Sequence, residues 1–375
     1  MAVNIRVIST RNEFKKYVHF RIDLYKDCPY AVPPLVLDEI GTLDTTKNPA
    51  YDFCQSISIM AYKKGRPVGR ITGIINNAVN KKTGKKTARF GWVDFVDDFE
   101  VSNALVEWIE NWAYRNGMNE LVGPMGFTDL DPEGCLIEGF DQLGTMETIY
   151  NYPYYQEHFT RLGYKKEMDW VEFKISLPDS LPEKFVRIAN IVKERYNLNM
   201  VECKNINVLA KQYGQQMFEL INSAYTDLYG YSPLTKRQID HYVDMYIPLL
   251  HNDEVAVVEN ENHEVVGVGI AIPSLAKALQ KARGRIFPFG WFYLLKALKM
   301  KNDTADLLLV AVHPDYQNKG VNALFFEKIF KSFKRRGYKM VETNPELEDN
   351  NKVQQQWQYF DTVQHKRRRA FIKSL

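Results

Sequence analysis

The sequence contains little cysteine and no arrangement of it that would build a metal or disulfide site. Its four cysteines, Cys28, Cys54, Cys135 and Cys203, are spread over 375 residues, and no two are close enough to form a zinc knuckle or a redox pair. Widely spaced thiols in a chain of this length are typical of buried residues in a reducing compartment. The seven histidines show no metal-ligand spacing either, so we expect no metal.

Long hydrophobic runs are also missing. The most apolar stretch, residues 286–298, is shorter than the roughly 20 residues that a membrane-spanning helix needs, and Lys296 interrupts it. Residues 1–16 contain no apolar core of a secretory signal. We therefore predict a cytoplasmic protein without a membrane span.

Neither sign of charge dominates. The chain has 49 Lys and Arg against 46 Asp and Glu, a net charge of +3, which is too small to imply a polyanionic partner. The strongest basic run is 366–369, and it has neither interleaved aromatic residues nor a nucleic-acid-binding motif around it. We interpret it as a solvated strand edge, with contact to an acidic ligand as an alternative, and expect no nucleic-acid partner.

The order of predicted elements occurs twice along the chain. Each half reads as strand, one or more helices, hairpin, strand, helix, strand, helix and strand, and the prolines of Pro178–Pro182 mark the predicted linker. The strings Asn103–Leu105 and Asn322–Leu324, both Asn-Ala-Leu, open corresponding helices. This pattern indicates a weak internal duplication with two domains, 1–178 and 179–375.

The most informative segment is 307–323, where an apolar strand ends at Val312 and Gln317–Gly320 leads directly into a helix. Backbone N–H groups at such a junction have no intrahelical partner and lie at the positive end of the helix dipole. Gly320 lets an anion approach the main chain closely, and Lys319 adds a mobile positive charge. The segment therefore predicts an anion cradle.

The string Val312–Gly320 resembles the signature of the GNAT superfamily, the acyl-CoA-dependent N-acyltransferases. In that family a strand is followed by Gln/Arg-x-x-Gly-x-Gly/Ala, whose amides hold the coenzyme A pyrophosphate. Gln317 and Gly320 fit the pattern, whereas Asn322 stands where a second Gly or Ala is usual and narrows the cradle. The order of elements over 200–375 fits the same superfamily.

The first half resembles the same family in a degenerate form. Asn151–Tyr155, followed by Leu162–Tyr164, is similar to the family's closing pattern. When the two Asn-Ala-Leu strings are aligned, however, Asp98 and Glu100 fall at the cradle, and each carboxylate would repel a pyrophosphate by roughly a kcal/mol. The resemblance to tandem bacterial members implies an α/β protein of two GNAT-like domains, each a mixed, mostly antiparallel twisted sheet flanked by helices.

The resemblance also implies an activity and its co-substrate. It implies direct transfer of an acyl group, most often acetyl, from acetyl-CoA or another acyl-CoA to a small-molecule or peptide amine. The implied coenzyme-binding residues, which share the cradle and the strands beside it, are Ala311, Val312, Gln317, Asn318, Lys319, Gly320, Val321, Asn322, Ala323 and Asn344. Among them, Ala311 and Val312 would supply the oxyanion donors.

The remaining candidates lie near the expected cleft. In the family a Tyr often protonates the leaving thiolate, and the family's usual Asn-to-Tyr spacing ends here near Trp357, which has no hydroxyl. Tyr359, two residues further along, is therefore the candidate acid in a shifted register. Glu342, at the exit of the strand after the cradle helix, is the candidate base. Tyr229 and Tyr231 occupy a loop where the family contacts its acceptor.

Other carboxylates are interpreted as solvated. Glu254 and Asp306 open strands, which favours exposed side chains. Residues 129–134 imitate the start of a calcium loop, but Phe140 stands at its twelfth position, so we expect a solvated acidic loop.

Three questions stay open at this level. The aromatic cluster 286–293 is compatible with a lid, an interdomain seam, a membrane-surface contact or plain core packing, and we favour the seam or the lid. Asn322 and Trp357 are also compatible with a catalytically silent GNAT-fold protein that binds a ligand or a protein. The basic run motivates a third alternative, a transferase that uses aminoacyl-tRNA.

Overall fold

The structure is a computed structural model that describes residues 2–300 and 302–375. Its β-strands are β1 (Asn4–Ile8), β2 (Cys54–Lys63), β3 (Arg66–Asn76), β4 (Thr87–Phe95), β5 (Glu120–Gly123), β6 (Cys135–Glu138), β7 (Lys165–Ser176), β8 (Asn199–Met200), β9 (Val255–Glu259), β10 (Val265–Pro273), β11 (Thr304–Val312), β12 (Met340–Thr343), β13 (Glu346–Leu347) and β14 (Asp361–Ser374).

The α-helices cover both faces of the sheet that these strands form. They are α1 (Arg11–Leu24), α2 (Val36–Thr42), α3 (Asn77–Thr83), α4 (Phe99–Arg115), α5 (Tyr154–Arg161), α6 (Glu183–Arg195), α7 (Ile206–Ala224), α8 (Lys236–Tyr246), α9 (Ala276–Ala282), α10 (Gly290–Lys299), α11 (Asn322–Arg336) and α12 (Asn351–Gln354). None of them, over 2–300 and 302–375, has both the length and the apolar character that crossing a bilayer requires.

One mixed sheet runs through the whole molecule. Its main path is β1-β2-β3-β4-β5-β14-β7-β12-β11-β10-β9-β8, with β13 beside β7 and β6 beside β14. Within the described ranges the parallel pairs are β4 with β5 and β11 with β12, and the other pairs are antiparallel. The predicted α/β class with mostly antiparallel pairing is confirmed, and the sheets of the two halves are continuous.

The two halves exchange their last strands. The final strand of the second half, β14, lies between β5 and β7, and the final strand of the first half, β7, lies between β14 and β12. The β7–β14 ladder extends from Ser176, opposite Asp361, to Lys165, opposite Ile372. Each half therefore completes the sheet of the other, while the proposed domain boundary at 178/179 falls in the connection between β7 and α6.

The basic run lies in the middle of the sheet, so its interpretation as a solvated strand edge is wrong. Lys366 and Arg368 are each 1% exposed. Lys366 donates to Glu172 at 2.9 Å and to Glu342, and Arg368 also donates to Glu172. Because Glu172 is 194 residues from Lys366 in the chain, no local sequence window reveals the pairing. The observation that motivated an aminoacyl-tRNA partner is thereby removed.

The corresponding helices of the two halves pack in the same way. Each connects a parallel strand pair, α4 joining β4 to β5 and α11 joining β11 to β12. In α11, Phe325, Ile329 and Phe333 recur every four residues and are buried, which fixes one face of the helix on the sheet. The left-handed Gly337, at φ +78°, ends the helix.

Candidate functional site

The predicted anion cradle is open at the start of α11. Among the hydrogen bonds of the described residues, none is donated by the backbone N–H of Gly320, Val321 or Asn322, and no side chain caps the helix. The loop before it is held in shape, because the Gln317 side chain donates to the Val312 carbonyl at 3.3 Å. Over the residues that the structure describes, no protein group accepts from these three N–H groups, which lie at the positive end of a helix of fifteen residues, and Val321 itself is 1% exposed.

The corresponding junction in the first half is filled by its own side chain. Asp98 caps α4 by accepting the Glu100 N–H at 3.0 Å. The Lys63 ammonium contacts both carboxylates, and its hydrogen bond lowers the pKa of Asp98. The first half thus lacks the open donors that α11 presents.

Beside the cradle, β11 and β12 separate. They pair only from Thr304–Leu307 with Met340–Thr343, and β11 then bulges at Leu308 against β10. The side chain of Asn344, directly after β12, donates to the Leu308 carbonyl at 2.8 Å. Beyond this point the edge of β11 facing β12 has no strand partner within 2–300 and 302–375, and the Val310 carbonyl there accepts from the Tyr225 hydroxyl at 2.9 Å.

Two cavities meet at the separation of the strands. One, of about 60 Å³, lies between α11 and α12 and has an almost wholly apolar lining that includes Asn322. The other, of about 280 Å³, lies on the opposite side and is rich in carboxylates. Both are lined by a shared set of residues, Leu307, Val310, Val353 and Trp357.

Carboxylates from both halves line the larger cavity, which we call the acidic cavity. They are Asp129, Asp131, Glu133, Glu147 and Glu346. One oxygen of Asp129, of Glu133 and of Glu147 is buried and has no hydrogen-bond partner in the described part of the chain. Burial raises the pKa of Asp129 and of Glu147 to about 7. The expectation of a solvated acidic loop at 129–134 is therefore wrong, because the loop closes this cavity.

Glu346 lines the acidic cavity next to Trp357, which lines both cavities. The indole N–H of Trp357 donates to its carboxyl at 2.9 Å. Burial raises the pKa of Glu346 to about 8, and the hydrogen bonds from Trp357 and Thr343 offset that effect only in part. Sequence reasoning missed Glu346, although it had marked Trp357 as the position where the family often places its acid.

A third cavity continues from the acidic one. It holds about 110 Å³ between α7 and α8, and its lining is almost entirely apolar, including Met217 and Ile221. It shares Leu130, Leu308 and Leu309 with the acidic cavity. We call it the α7–α8 cavity.

The two predicted catalytic residues lie outside the cavities where the strands separate. Tyr359 is 40% exposed, accepts a hydrogen bond from Lys184 and packs on Phe185. Glu342 is buried in the ion-pair group of β14. Burial acts to raise its pKa, but the neighbouring His365 and Lys366 outweigh burial and lower the pKa to about 2.

Some of the predicted coenzyme-binding and acceptor-binding residues line the acidic cavity, and others are packed in the protein interior. Asn344 lines the acidic cavity, as does Tyr229, whose hydroxyl donates to Glu167 at 3.1 Å. Tyr231 is 1% exposed and donates to Asn222, so it packs inside the protein. Ala311 and Val312 pair with β10, and Val321 and Ala323 are buried at the start of α11.

Two further carboxylates are buried contrary to expectation, and one group of side chains has the spacing of metal ligands. Glu254 and Asp306 are 0% and 2% exposed, so the expectation that they are solvated strand ends is wrong. Glu172, Glu342 and His365 bring ligand atoms within 4.8 Å of one another. The Lys366 ammonium already contacts both of these glutamates, so the group holds a side-chain cation.

Comparison with known proteins agrees with this geometry. The family model described as Acetyltransferase (GNAT) family matches residues 214–357, which include the cradle and the separated strands. A solved structure, a tandem GNAT protein from the clavulanic acid biosynthesis pathway, superposes with a TM-score of 0.58 over 99% of this chain and 98% of its own, at 10% identity. Residues 214–357 thus match the GNAT family, and the whole chain has the fold of a tandem GNAT protein.

Two curated relatives match most of the sequence. Protein YghO of Escherichia coli (strain K12) is 27% identical over 377 residues, which cover 99% of this chain and 95% of the relative. A bacterial ceramide synthase of Caulobacter vibrioides is 26% identical over 317 residues, covering 83% of this chain and 80% of the relative. The family match over 214–357 supports acyl transfer in general.

Proposed function

We propose that this protein transfers an acyl group from an acyl-CoA to an amine. The observation that carries the proposal is the set of open N–H groups at Gly320, Val321 and Asn322, at the end of a strand with a cavity on either side. Such donors suit a pyrophosphate. The apolar cavity beside α11 suits the chain that joins the pyrophosphate to the thioester.

The acidic cavity suits the acceptor. Its carboxylates attract an ammonium group, and four of the five come from the first half of the chain. In this proposal the first half supplies the side of the acidic cavity that binds the amine. The start of its own helix α4 cannot serve as an anion site, because the Asp98 side chain caps it. The second half binds the acyl donor.

An ammonium bound in the acidic cavity first releases one proton to solvent, and the chemistry then needs a group that moves a second proton from the amine nitrogen to the thiolate. The amine nitrogen attacks the thioester carbon, the C–N bond forms, the C–S bond breaks, and the thiolate leaves. We assign the proton transfers to Glu346, which accepts the amine proton when ionised and then returns it to the thiolate. A carboxyl with a pKa of about 8 suits both directions near neutral pH.

The α7–α8 cavity supports a narrower proposal about substrate class. Its apolar lining suits a hydrocarbon chain that continues from the acidic cavity. One relative is a bacterial ceramide synthase, and a ceramide is a long-chain amino alcohol acylated on nitrogen. We therefore propose that at least one substrate carries a long hydrocarbon chain in this cavity.

Release of free thiol from acyl-CoA tests both the proposed acyl transfer and the proposed long-chain substrate. Acetyl-CoA and a long-chain acyl-CoA are each paired with a short amine and with a long-chain amino alcohol. We expect turnover to require a long chain on one side. Binding of coenzyme A without turnover in any pair would contradict the transferase and favour the silent binding protein, whereas equal turnover of the short pair would contradict only the narrower proposal.

A substitution then identifies which substrate uses the cavity. Ala210→Phe fills it from α7, and Lys211→Phe places the same side chain at the neighbouring exposed position as a control. We expect Ala210→Phe to shorten the preferred chain of either the acyl donor or the amine. Unchanged chain preference in both substrates would remove the assignment of the cavity.

A further inference from the structure

A basic helical insertion separates two neighbouring antiparallel strands. Between β10 and β11 the chain forms α9 and α10, and residues 274–300 contain six Lys or Arg and no Asp or Glu. A hairpin between adjacent strands needs only a few residues. The insertion is therefore an added element, and its charge is of one sign although the whole protein is nearly neutral.

Large hydrophobic side chains of this insertion are exposed rather than packed. The exposed fractions are 74% for Phe287, 71% for Phe289, 53% for Phe292, 45% for Trp291 and 41% for Leu295. The other face of α10 is fixed, since Leu298 is buried with Leu275 and Leu279 of the α9 region. The element is thus anchored on one side and presents an aromatic surface on the other, which we call the aromatic patch.

The aromatic patch is bordered by exposed cations. Lys281, Arg283 and Arg285 precede it, and Lys296 and Lys299 follow it on α10. Aromatic and aliphatic side chains next to Lys and Arg, without acidic residues, are the composition of helices that lie in the interface of an anionic bilayer. A protein partner would have to match both the apolar and the cationic part, whereas an anionic lipid surface does so everywhere.

We propose that the aromatic patch docks on the surface of an anionic lipid bilayer. The rings enter the boundary between headgroups and acyl chains, and the flanking Lys and Arg contact the anionic headgroups. With ten residues α10 lies along the interface and does not cross it. Docking needs no substrate.

The insertion shares a hydrophobic cluster with residues that are next in the chain to the cavity linings. The inner face of α10 packs with Met146 and Leu249, which are the chain neighbours of Glu147 in the acidic cavity and Leu250 in the α7–α8 cavity. A docked bilayer would therefore lie beside the cavities that the proposed function assigns to an amine and a hydrocarbon chain. This second step rests on that function, whereas docking itself does not.

Co-sedimentation with vesicles tests docking directly. We expect the full chain to sediment with vesicles of equal parts phosphatidylcholine and phosphatidylglycerol at low salt, and much less with phosphatidylcholine alone. Brominated lipid should quench the fluorescence of Trp291, and Trp291→Phe identifies that contribution among the six tryptophans. Failure to sediment with anionic vesicles would overturn the proposal.

Variants separate docking from other uses of the patch. Combined Phe287→Ser, Phe289→Ser and Phe292→Ser should weaken vesicle binding by about tenfold or more, and Lys296→Glu with Lys299→Glu by a similar factor. Ile191→Ser with Val208→Ser, at exposed apolar positions of α6 and α7, is the matched control and should leave binding unchanged. Docking would be contradicted if the triple variant bound vesicles as well as the wild type does. It would also be contradicted if vesicles bound no wild-type protein and sedimentation equilibrium showed a wild-type dimer that the triple variant abolishes.

The result can be distinguished from failure of the transferase proposal. Vesicle binding is measured without acyl-CoA or amine, so it can succeed where thiol release fails. If both hold, the triple variant should lose turnover of vesicle-borne substrate and keep turnover of dissolved long-chain acyl-CoA with a short amine. Loss of both turnovers together with unchanged vesicle binding would contradict the proposal.

Discussion

Lys366, on the last strand of the second half, donates to Glu172, on the last strand of the first half, across 2.9 Å in the interior of the sheet. Both side chains are at most 1% exposed, and Glu342 and Arg368 complete the group. Buried charges persist only when they are paired, because the desolvation cost of each is several kcal/mol. The group therefore ties the two exchanged strands to each other.

Lys366→Met should destabilise the protein strongly. The substitution leaves Glu172 and Glu342 with less compensation in a buried site, and removal of one partner of a buried pair costs about 3–5 kcal/mol. Urea unfolding followed by circular dichroism measures the effect, with Lys352→Met on the exposed face of α12 as the control. Similar unfolding midpoints for the two variants would show that the pairing is dispensable.

Asp306→Asn should change how stability depends on pH. Burial, with the charge of Glu342, raises the pKa of folded Asp306 to about 8, while the unfolded group titrates near about 4. The stability that the protonated carboxyl supplies is present below the unfolded pKa and is lost as the pH rises to about 8. We expect thermal midpoints of the wild type to fall over this range more steeply than those of Asp306→Asn. Parallel curves would contradict the assignment.

Asn322→Asp should weaken coenzyme A binding without unfolding the protein. A carboxylate at the start of α11 repels the pyrophosphate, whereas an acid at a helix N-terminus stabilises the helix by about 0.3–1 kcal/mol. We expect the dissociation constant in calorimetry to rise about fivefold or more, since a charge contact of this kind is worth at least about a kcal/mol. Asn103→Asp, the same substitution in the second turn of α4 and away from the cradle, should leave it unchanged. Equal effects of the two would argue against the cradle.

Glu346→Gln should lower the turnover rate while coenzyme A affinity stays constant. General acid–base assistance typically contributes about 10²–10⁴-fold, so the loss should fall in that range. Because the pKa of Glu346 lies near about 8, the wild-type rate should rise with pH up to that value, and the variant should lack that rise. Asp349→Asn, an exposed acid three residues away, is the control. An unchanged pH profile would assign the proton transfer elsewhere.

Much of the fold could be predicted from local pattern. The apolar spacing of Phe325, Ile329 and Phe333 and the glycine after them define α11, and the Gln-x-x-Gly string locates the cradle. These features are encoded within one or two turns of chain. The acyltransferase fold could be predicted because this segment occurs within the order of strands and helices that is typical of the GNAT superfamily.

The errors concern long-range pairing. Arg367 and Arg369 appear solvent-facing in sequence, yet both pair with Asp169 across the β7–β14 ladder. Likewise, Asp129 and Glu133 belong to a polar loop whose burial is created by strands from the other half. Local composition carries no information about a neighbour that arrives from a distant part of the chain.

The exchange of β7 and β14 makes the two halves obligate partners. A protease cut between residues 178 and 182 would leave both pieces joined through an eleven-pair ladder, so cleavage alone should not release either one. Separately expressed halves would each expose an unfinished sheet edge and a strand without its partner. Each half should aggregate when expressed alone, and mixing the two should restore a soluble complex. The first half, whose own helix start is capped by Asp98, is thus retained by architecture, since deleting it would remove the strand β7 that pairs with β12 of the second half.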